Sequence, residues 1–217
     1  NLRDILSAVD HTLLSVDAVW EDIKKVCDEG IMYQVASVCI PASYVKDAAN
    51  YVDGRIPICT VVGFPNGYST TAAKCFETTD AIENGADEID MVIHQGLVKD
   101  GRYQEIETEI KAIKAECGNR ILKVIVETCM LTQEEKILLC KIVGDSGADF
   151  IKNSTGFASG GASLEDVKLF QIYNKSQLQI KASGGIRSLE SAKAFLDAGA
   201  KRLGTSSMME WIQKGNA

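Results

Sequence analysis

The stretch "ENGADEIDMVI", residues 83–93, joins the end of a helix to a whole strand. Gly85 suits the left-handed position just past a helix C-terminus, and the short apolar run after it reads as a strand rather than a further helix. The same layout returns in "DEGIMYQVASV" (28–38), "DSGADFIKNS" (145–154) and "DAGAKRLGTS" (197–206). Gly30, Gly85, Gly147 and Gly199 are each read as that helix-ending residue. The intervals between them, 55, 62 and 52 residues, each hold two strand–helix units. Four such quarters make eight units.

Outward from these anchors, further strands are expected in "AVDHTLL" (8–14), "IPICTVVGFP" (56–65), "RILKVIVET" (120–128) and "LQIKASGG" (178–185). Amphipathic helical segments lie at 17–29, 42–53, 70–84, 103–116, 132–146, 163–175 and 188–198. Alternation of strand and helix implies parallel pairing. Eight units fit a closed (β/α)8 TIM barrel better than an open doubly wound sheet, although 217 residues is compact against the usual size of about 250. No linker, low-complexity run or composition break divides the chain, so residues 1–217 are expected to form a single domain.

Composition excludes several classes. A content of 46% hydrophobic and 24% charged residues suits an ordinary globular core. The net charge of -7 argues against binding nucleic acid or anionic membrane through bulk electrostatics, so an anionic ligand needs a local site. No run approaches the roughly 18 apolar residues of a membrane span, and "NLRDILSAVD" lacks a signal-peptide layout, so a cytoplasmic location is expected. The seven cysteines are odd in number and include no C-x-x-C pair, which points to reduced thiols rather than disulfides or zinc sites. The chain opens on Asn1, so a native start upstream is expected.

In a parallel barrel the strands should be apolar, and active sites gather at their carboxyl ends. Charged residues inside strands are therefore informative: Asp90 in "EIDMVI", Lys123 and Glu127 in "LKVIVET", Lys152 in "DFIKNS", Lys181 in "QIKASGG". Any one of these suits a structural ion pair as well as a catalytic role. Together they put an inward-capable charge on four consecutive strands, with Lys152 and Lys181 as lateral neighbours. Two close ammoniums beside an apolar wall disfavour each other's charge, so one of them is expected to be neutral near pH 7. A neutral lysine condenses with a carbonyl to a Schiff base, the electron sink for breaking an adjacent carbon–carbon bond. Separately, "STG" (154–156), "SGGIR" (183–187) and "GTSS" (204–207) would bring bare N–H groups and serine hydroxyls to one barrel edge, which suits a phosphate.

Over nearly its whole length the sequence resembles the deoxyribose-phosphate aldolase family, through "DHTLL", "SVCIP", "VVGFPNG", "GADEIDMVI", "LKVIVET", "GADFIKNSTGF", "KASGGIR" and "GTSS", in family order. The resemblance implies a (β/α)8 class I aldolase, without metal or organic cofactor, that reversibly cleaves 2-deoxy-D-ribose 5-phosphate to D-glyceraldehyde 3-phosphate and acetaldehyde. It implies that Lys152 forms the Schiff base, that Lys181 lowers its pKa and assists proton movement, and that Asp90 relays protons through water. Lys123 matches a third lysine that balances Asp90; a buried pair with Glu127, four positions along the strand, is the other reading. Asp10, Thr12 and Cys39 match positions near the substrate, with simple packing the alternative for Cys39. Gly156, Gly184, Gly185, Arg187, Gly204, Ser206 and Ser207 would hold the phosphate.

Two departures stand out. Phe157 occupies a position where some relatives have a phosphate-reaching lysine, and the sequence ends at Ala217 without the tyrosine-bearing tail of others, which leaves proton abstraction to Asp90, Lys181 and water. "GFPNG" (63–67) reads first as a turn. His11 and His94 are too few for a histidine metal site, and Trp20 and Trp211 read as packing or interface residues. Partners are expected to be small phosphorylated sugars and aldehydes, with a homodimer as the assembly. The rival readings are a phosphate-binding isomerase using Asp90 and Glu127 as acid and base, and a catalytically silent sugar-phosphate sensor.

Overall fold

The computed structural model describes residues 1–175 and 177–215; Ser176, Asn216 and Ala217, where the reading about the missing tail falls, lie outside the described residues. Eight parallel strands close a barrel in chain order. They are β1 (Val9–Thr12), β2 (Ser37–Cys39), β3 (Ile58–Val62), β4 (Glu88–Val92), β5 (Ile121–Ile125), β6 (Phe150–Lys152), β7 (Gln179–Ser183) and β8 (Arg202–Thr205). The helices are α1 (Leu2–Leu6), α2 (Trp20–Tyr33), α3 (Val45–Val52), α4 (Thr71–Glu83), α5 (Gln95–Lys99), α6 (Tyr103–Cys117), α7 (Gln133–Asp145), α8 (Leu164–Tyr173), α9 (Leu189–Asp197) and α10 (Met208–Gly215). The eight strands and seven long helical segments agree with the sequence reading. Helices α1, α5 and α10 fall outside the predicted segments; α1 and α5, at five residues each, are too short to display a helical period.

Three of the four repeating glycines end helices as expected: Gly85, Gly147 and Gly199 have φ of 110°, 80° and 117°. Gly30 does not. It lies within α2, which ends at the left-handed Gln34 with φ 53°. Its reason is close packing, since a Cβ there would sit 2.7 Å from Val38 Cγ1 and 2.8 Å from Ile56 Cδ1. At the opposite end of the helices, Thr70, Thr132, Ser163 and Ser188 accept a backbone N–H in the first turn of α4, α7, α8 and α9. Each such cap contributes about 1 kcal/mol and sets where the helix leaves its loop.

The expectation of apolar strands holds for one face only. Val9, Val38, Ile58, Ile89, Met91, Leu122, Val124, Ile151, Ile180 and Leu203 form the buried layer between the sheet and helix residues such as Ile23, Ala48, Ile110, Leu139 and Phe170. The alternate strand positions carry Asp10, Ser37, Cys39, Cys59, Glu88, Asp90, Lys123, Lys152 and Lys181, all buried. Burial of apolar area, at roughly 25 cal/mol per Å², therefore acts mainly in the outer layer, and the barrel lumen is polar.

Candidate active site

Period-two alternation turns Asp90, Lys123, Lys152 and Lys181 to the lumen, and the register aligns them: Asp90 with Lys123, and Lys152 with Lys181. Asp90 is the hub. Its Oδ2 accepts from Lys152 Nζ and from Lys181 Nζ, both at 2.8 Å, and its Oδ1 accepts from Lys123 Nζ at 2.9 Å. A second tier stabilises this one. Lys181 Nζ lies 2.5 Å from Asp10 Oδ2, and Lys123 Nζ lies 2.5 Å from Glu88 Oε2. Arg202 Nη1 bridges Asp10 and Glu88 at 2.7 Å each, and Ser37 Oγ donates to Asp10 Oδ1 at 2.6 Å.

Lys123, Lys152, Lys181 and Arg202 thus face Asp10, Glu88 and Asp90: four cations against three carboxylates. Loss of one proton from a lysine balances the cluster. Burial by itself would push Asp90 up, but Lys123, Lys152 and Lys181 hold it well below the ordinary carboxylate range. Burial would likewise lower Lys181, yet Asp10 and Asp90 outweigh it and keep its ammonium charged to higher pH than a free lysine. Of the two neighbouring lysines, Lys181 is the one held charged, because Asp10 and Asp90 outweigh both burial and the repulsion of the nearby ammoniums. Glu88 and Arg202 were missed; each sits two residues from an identified site position on its own strand, Asp90 and Gly204.

Lys123 does not pair with Glu127. Strand β5 ends at Ile125, and Glu127 turns into the left-handed region at φ 54°. Its carboxylate accepts the Thr155 N–H at 3.2 Å and the Thr155 hydroxyl at 2.6 Å. The Glu127 carboxylate is thus engaged by Thr155, whereas Asp90 is engaged by the three lysines. Cys39 pairs in register with Cys59, whose Sγ donates to Asp90 Oδ1 at 3.3 Å. The neighbouring Cys59 side chain lowers the Cys39 thiol, whereas burial raises that of Cys59. Among the described residues, Cys39, Cys59 and Asp90 are the group whose ligand atoms approach within 4.8 Å of one another, but both Asp90 oxygens already accept ammoniums. Thr12, half-buried at the end of β1, donates to its own strand at Asp10 O (2.8 Å).

Gly156, Gly184, Gly185, Arg187, Ser206 and Ser207 fall in the consecutive loops after β6, β7 and β8. Gly156, Gly184 and Gly185 have φ of 81°, 86° and 78°. A Cβ on Gly184 would lie 2.9 Å from Ser154 Oγ and 3.6 Å from Gly156 Cα, so the β6 and β7 loops touch. Arg187 and Ser206 are exposed, and Ser207 is half-buried ahead of α10. Gly204 differs. It lies inside β8, and a Cβ there would sit 2.8 Å from Ser183 Cβ and 3.1 Å from Lys181 Cε, so its bareness makes room for the lysine.

A cavity of about 480 Å³ opens among the loops after β1, β2, β3 and β6, lined by Leu14, Pro41, Tyr44, Phe64 and Phe157 among others. Phe64 of the "GFPNG" turn meets Phe157 edge-on, with ring centroids 5.4 Å apart, so the turn does shape the mouth. A groove of similar volume, about 490 Å³, lies on the helical wall between α7 and α8 and is lined by none of the charged barrel residues.

A (β/α)8 barrel that gathers lysines about one carboxylate has what imine-forming carbon–carbon lyases require. The chain belongs to the DeoC/LacD family of aldolases, whose family model matches residues 5–208. It is 58% identical over 212 residues to a deoxyribose-phosphate aldolase of Streptococcus pyogenes, covering 98% of this chain and 95% of that one. Its fold is similar to a tetrameric deoxyribose phosphate aldolase from Aeropyrum pernix, with a TM-score of 0.90, 30% identity, and coverage of 100% of this chain and 93% of that chain. It is also similar to an aldolase designated QR15, with a TM-score of 0.93, 35% identity, and coverage of 98% and 96%.

Proposed function

We propose that the protein is a deoxyribose-phosphate aldolase in which Lys152 forms the Schiff base. The observation that carries this is the sharing of Asp90 Oδ2 by Lys152 and Lys181. Attack needs a neutral amine, and the surplus cation of the cluster allows one proton to leave without uncovering a buried negative charge. The Lys152 nitrogen adds to C1 of the open-chain sugar to give a carbinolamine. Asp90, reached by the ammoniums on either side, moves protons as water leaves and the iminium forms. Deprotonation of the C3 hydroxyl breaks the C2–C3 bond, and its electron pair flows into the iminium. Glyceraldehyde 3-phosphate departs, the enamine takes a proton at C2, and water releases acetaldehyde from Lys152.

Lys181, held charged by Asp10 and Asp90, supplies a fixed cation and a proton donor beside the reacting nitrogen. Lys123 helps keep Asp90 ionised, Asp10 holds Lys181 charged, and Arg202 balances Asp10 and Glu88; Thr12 and Cys39 border the carbonyl. The N–H groups of Gly184 and Gly185 and the hydroxyls of Ser206 and Ser207, with Arg187, hold the phosphate beside the turn at Gly156, while Gly204 acts by admitting Lys181. Residues 1–217 act as one catalytic unit and pair as a homodimer. The seven free thiols fit a reducing, cytoplasmic setting.

Borohydride reduction in the presence of acetaldehyde, followed by peptide mapping, tests the assignment. A stable two-carbon adduct on Lys152 is expected. No adduct would defeat the Schiff-base reading; an adduct on Lys181 or Lys123 would defeat the division of roles while leaving an aldolase.

A further inference from the structure

Glu127 is left without a task by the chemistry above, yet the fold treats it unusually. Its side chain is buried, its backbone lies in the left-handed region that non-glycine residues avoid, and among the described residues no Lys, Arg or His lies within ion-pair distance of its carboxylate. A buried carboxylate without a cation persists where it is hydrogen-bonded for a purpose. Both of its bonds go to one residue, Thr155, at the N–H and at the hydroxyl.

Thr155 is the middle of the "STG" turn after β6. Its Oγ1 in turn accepts the Phe157 N–H at 3.1 Å, and on its other side Ser154 Oγ accepts the Gly156 N–H at 3.0 Å. The turn is tied onward to β7, because Ser183 Oγ donates to Ser154 O at 2.7 Å and Ser183 N–H donates to Asn153 Oδ1 at 2.7 Å. Glu127 therefore anchors, from the end of β5, a run of hydrogen bonds that sets the orientation of the β6 and β7 loops. Those loops carry Gly156, Gly184 and Gly185.

We propose that Glu127 is a positioning residue for substrate phosphate: by gripping Thr155 through both its N–H and its hydroxyl, it aims the Gly156 end of the β6 loop at the phosphate held with the β7 and β8 loops. The inference rests on the phosphate-site reading given above. The left-handed turn at Glu127 is what swings the carboxylate off the line of β5 and away from Lys123 toward the neighbouring loop. In place of a lysine at position 157, this chain fixes the β6 turn, and with it the β7 loop that the turn touches, through a remote carboxylate.

The test compares steady-state cleavage of deoxyribose 5-phosphate and of unphosphorylated deoxyribose, with inorganic phosphate as a competitive inhibitor, in the unmodified protein and in Glu127→Gln, Thr155→Val and Thr155→Ser. Glu127→Gln and Thr155→Val should each raise KM for the phosphorylated sugar and Ki for inorganic phosphate by about tenfold, the worth of one hydrogen bond to a charged group. The change in kcat/KM should be several-fold smaller for deoxyribose. Thr155→Ser, which keeps the hydroxyl, should behave as the unmodified protein, and the double variant Glu127→Gln/Thr155→Val should be no worse than either single one. Equal losses on both sugars, or an unchanged Ki for phosphate, would overturn the role of Glu127. If the unmodified protein itself neither prefers the phosphorylated sugar nor is inhibited by phosphate, the phosphate-site reading falls as well.

Discussion

Lys152 and Lys181 stand opposite one another in the register of β6 and β7, and both ammoniums donate to the same oxygen, Asp90 Oδ2, at 2.8 Å. The two lysines are unequal within that arrangement. Lys181 has a second carboxylate, Asp10, at 2.5 Å, whereas Asp90 is the carboxylate paired with Lys152. The proposed roles follow from this asymmetry: the lysine with two anions stays charged, and the one that shares a single anion reacts.

Lys152→Ala should abolish the borohydride adduct and aldol cleavage at every pH. Lys181→Leu should keep the nucleophile but remove a cation beside it, so less neutral amine is available at pH 7. Single-turnover cleavage measured from pH 6 to 10 should rise by up to about tenfold per pH unit in this variant, as expected when the rate follows one deprotonation. Recovery should remain incomplete because leucine moves no protons. A flat profile for Lys181→Leu would show that its charge is not what matters.

Lys123→Met should cost stability rather than identity of the nucleophile. The substitution removes the shared cation of Glu88 and Asp90, and the loss of one partner from a buried pair costs about 3–5 kcal/mol. The lower end is expected, because Arg202 still faces Glu88 and Asp10. Urea unfolding reads the loss, and borohydride trapping should still label Lys152. Labelling elsewhere would show that Lys123 orients the reacting amine directly.

Two glycines of the phosphate motifs should respond differently. Gly185 has open space around a would-be Cβ, so Gly185→Val should act through its φ of 78° and raise KM for the phosphorylated sugar far more than for deoxyribose. Gly204→Ala would crowd Ser183 and Lys181 and should slow both substrates. Matching profiles for the two variants would contradict this separation.

His11 should make stability fall on mild acidification. It faces Glu29, with Nε2 2.7 Å from Oε2, but burial dominates and lowers its pKa from the ordinary 6.5. The unfolded chain then takes up a proton below about pH 6.5 that the folded chain resists, so stability decreases as pH drops through that range. Asp10 and Asp90, held below 3.8, and Lys181, held above 10.5, contribute evenly across it. Melting temperatures at pH 7.5 and 5.5 should differ less in His11→Leu than in the unmodified protein. An equal difference would assign the pH dependence to other groups.

Strand count, chain-order pairing and the residues offered to the lumen were determined by the sequence, because period-two alternation and helix-ending glycines are local properties of the chain. The alignment of Lys152 with Lys181 needed only the barrel closure that the repeat implied. Gly30 shows the limit of that reasoning: its spacing matched the other glycines, but its cause was the side chains of Val38 and Ile56 packed against it. The charge state of the site was decided by tertiary structure alone. Asp10 and Arg202 stand at opposite ends of the chain and meet because β1 and β8 close the barrel. Once there, Asp10 holds Lys181 and Lys123 charged and Glu88 adds to Lys123, since Coulomb energy depends on distances of a few ångströms that no sequence separation encodes. The two readings of Lys123 were separated for a related reason. Counting along a strand allowed a pair with Glu127, but Lys123 donates to Asp90, and one left-handed residue at the strand's end directs the Glu127 carboxylate to the next loop.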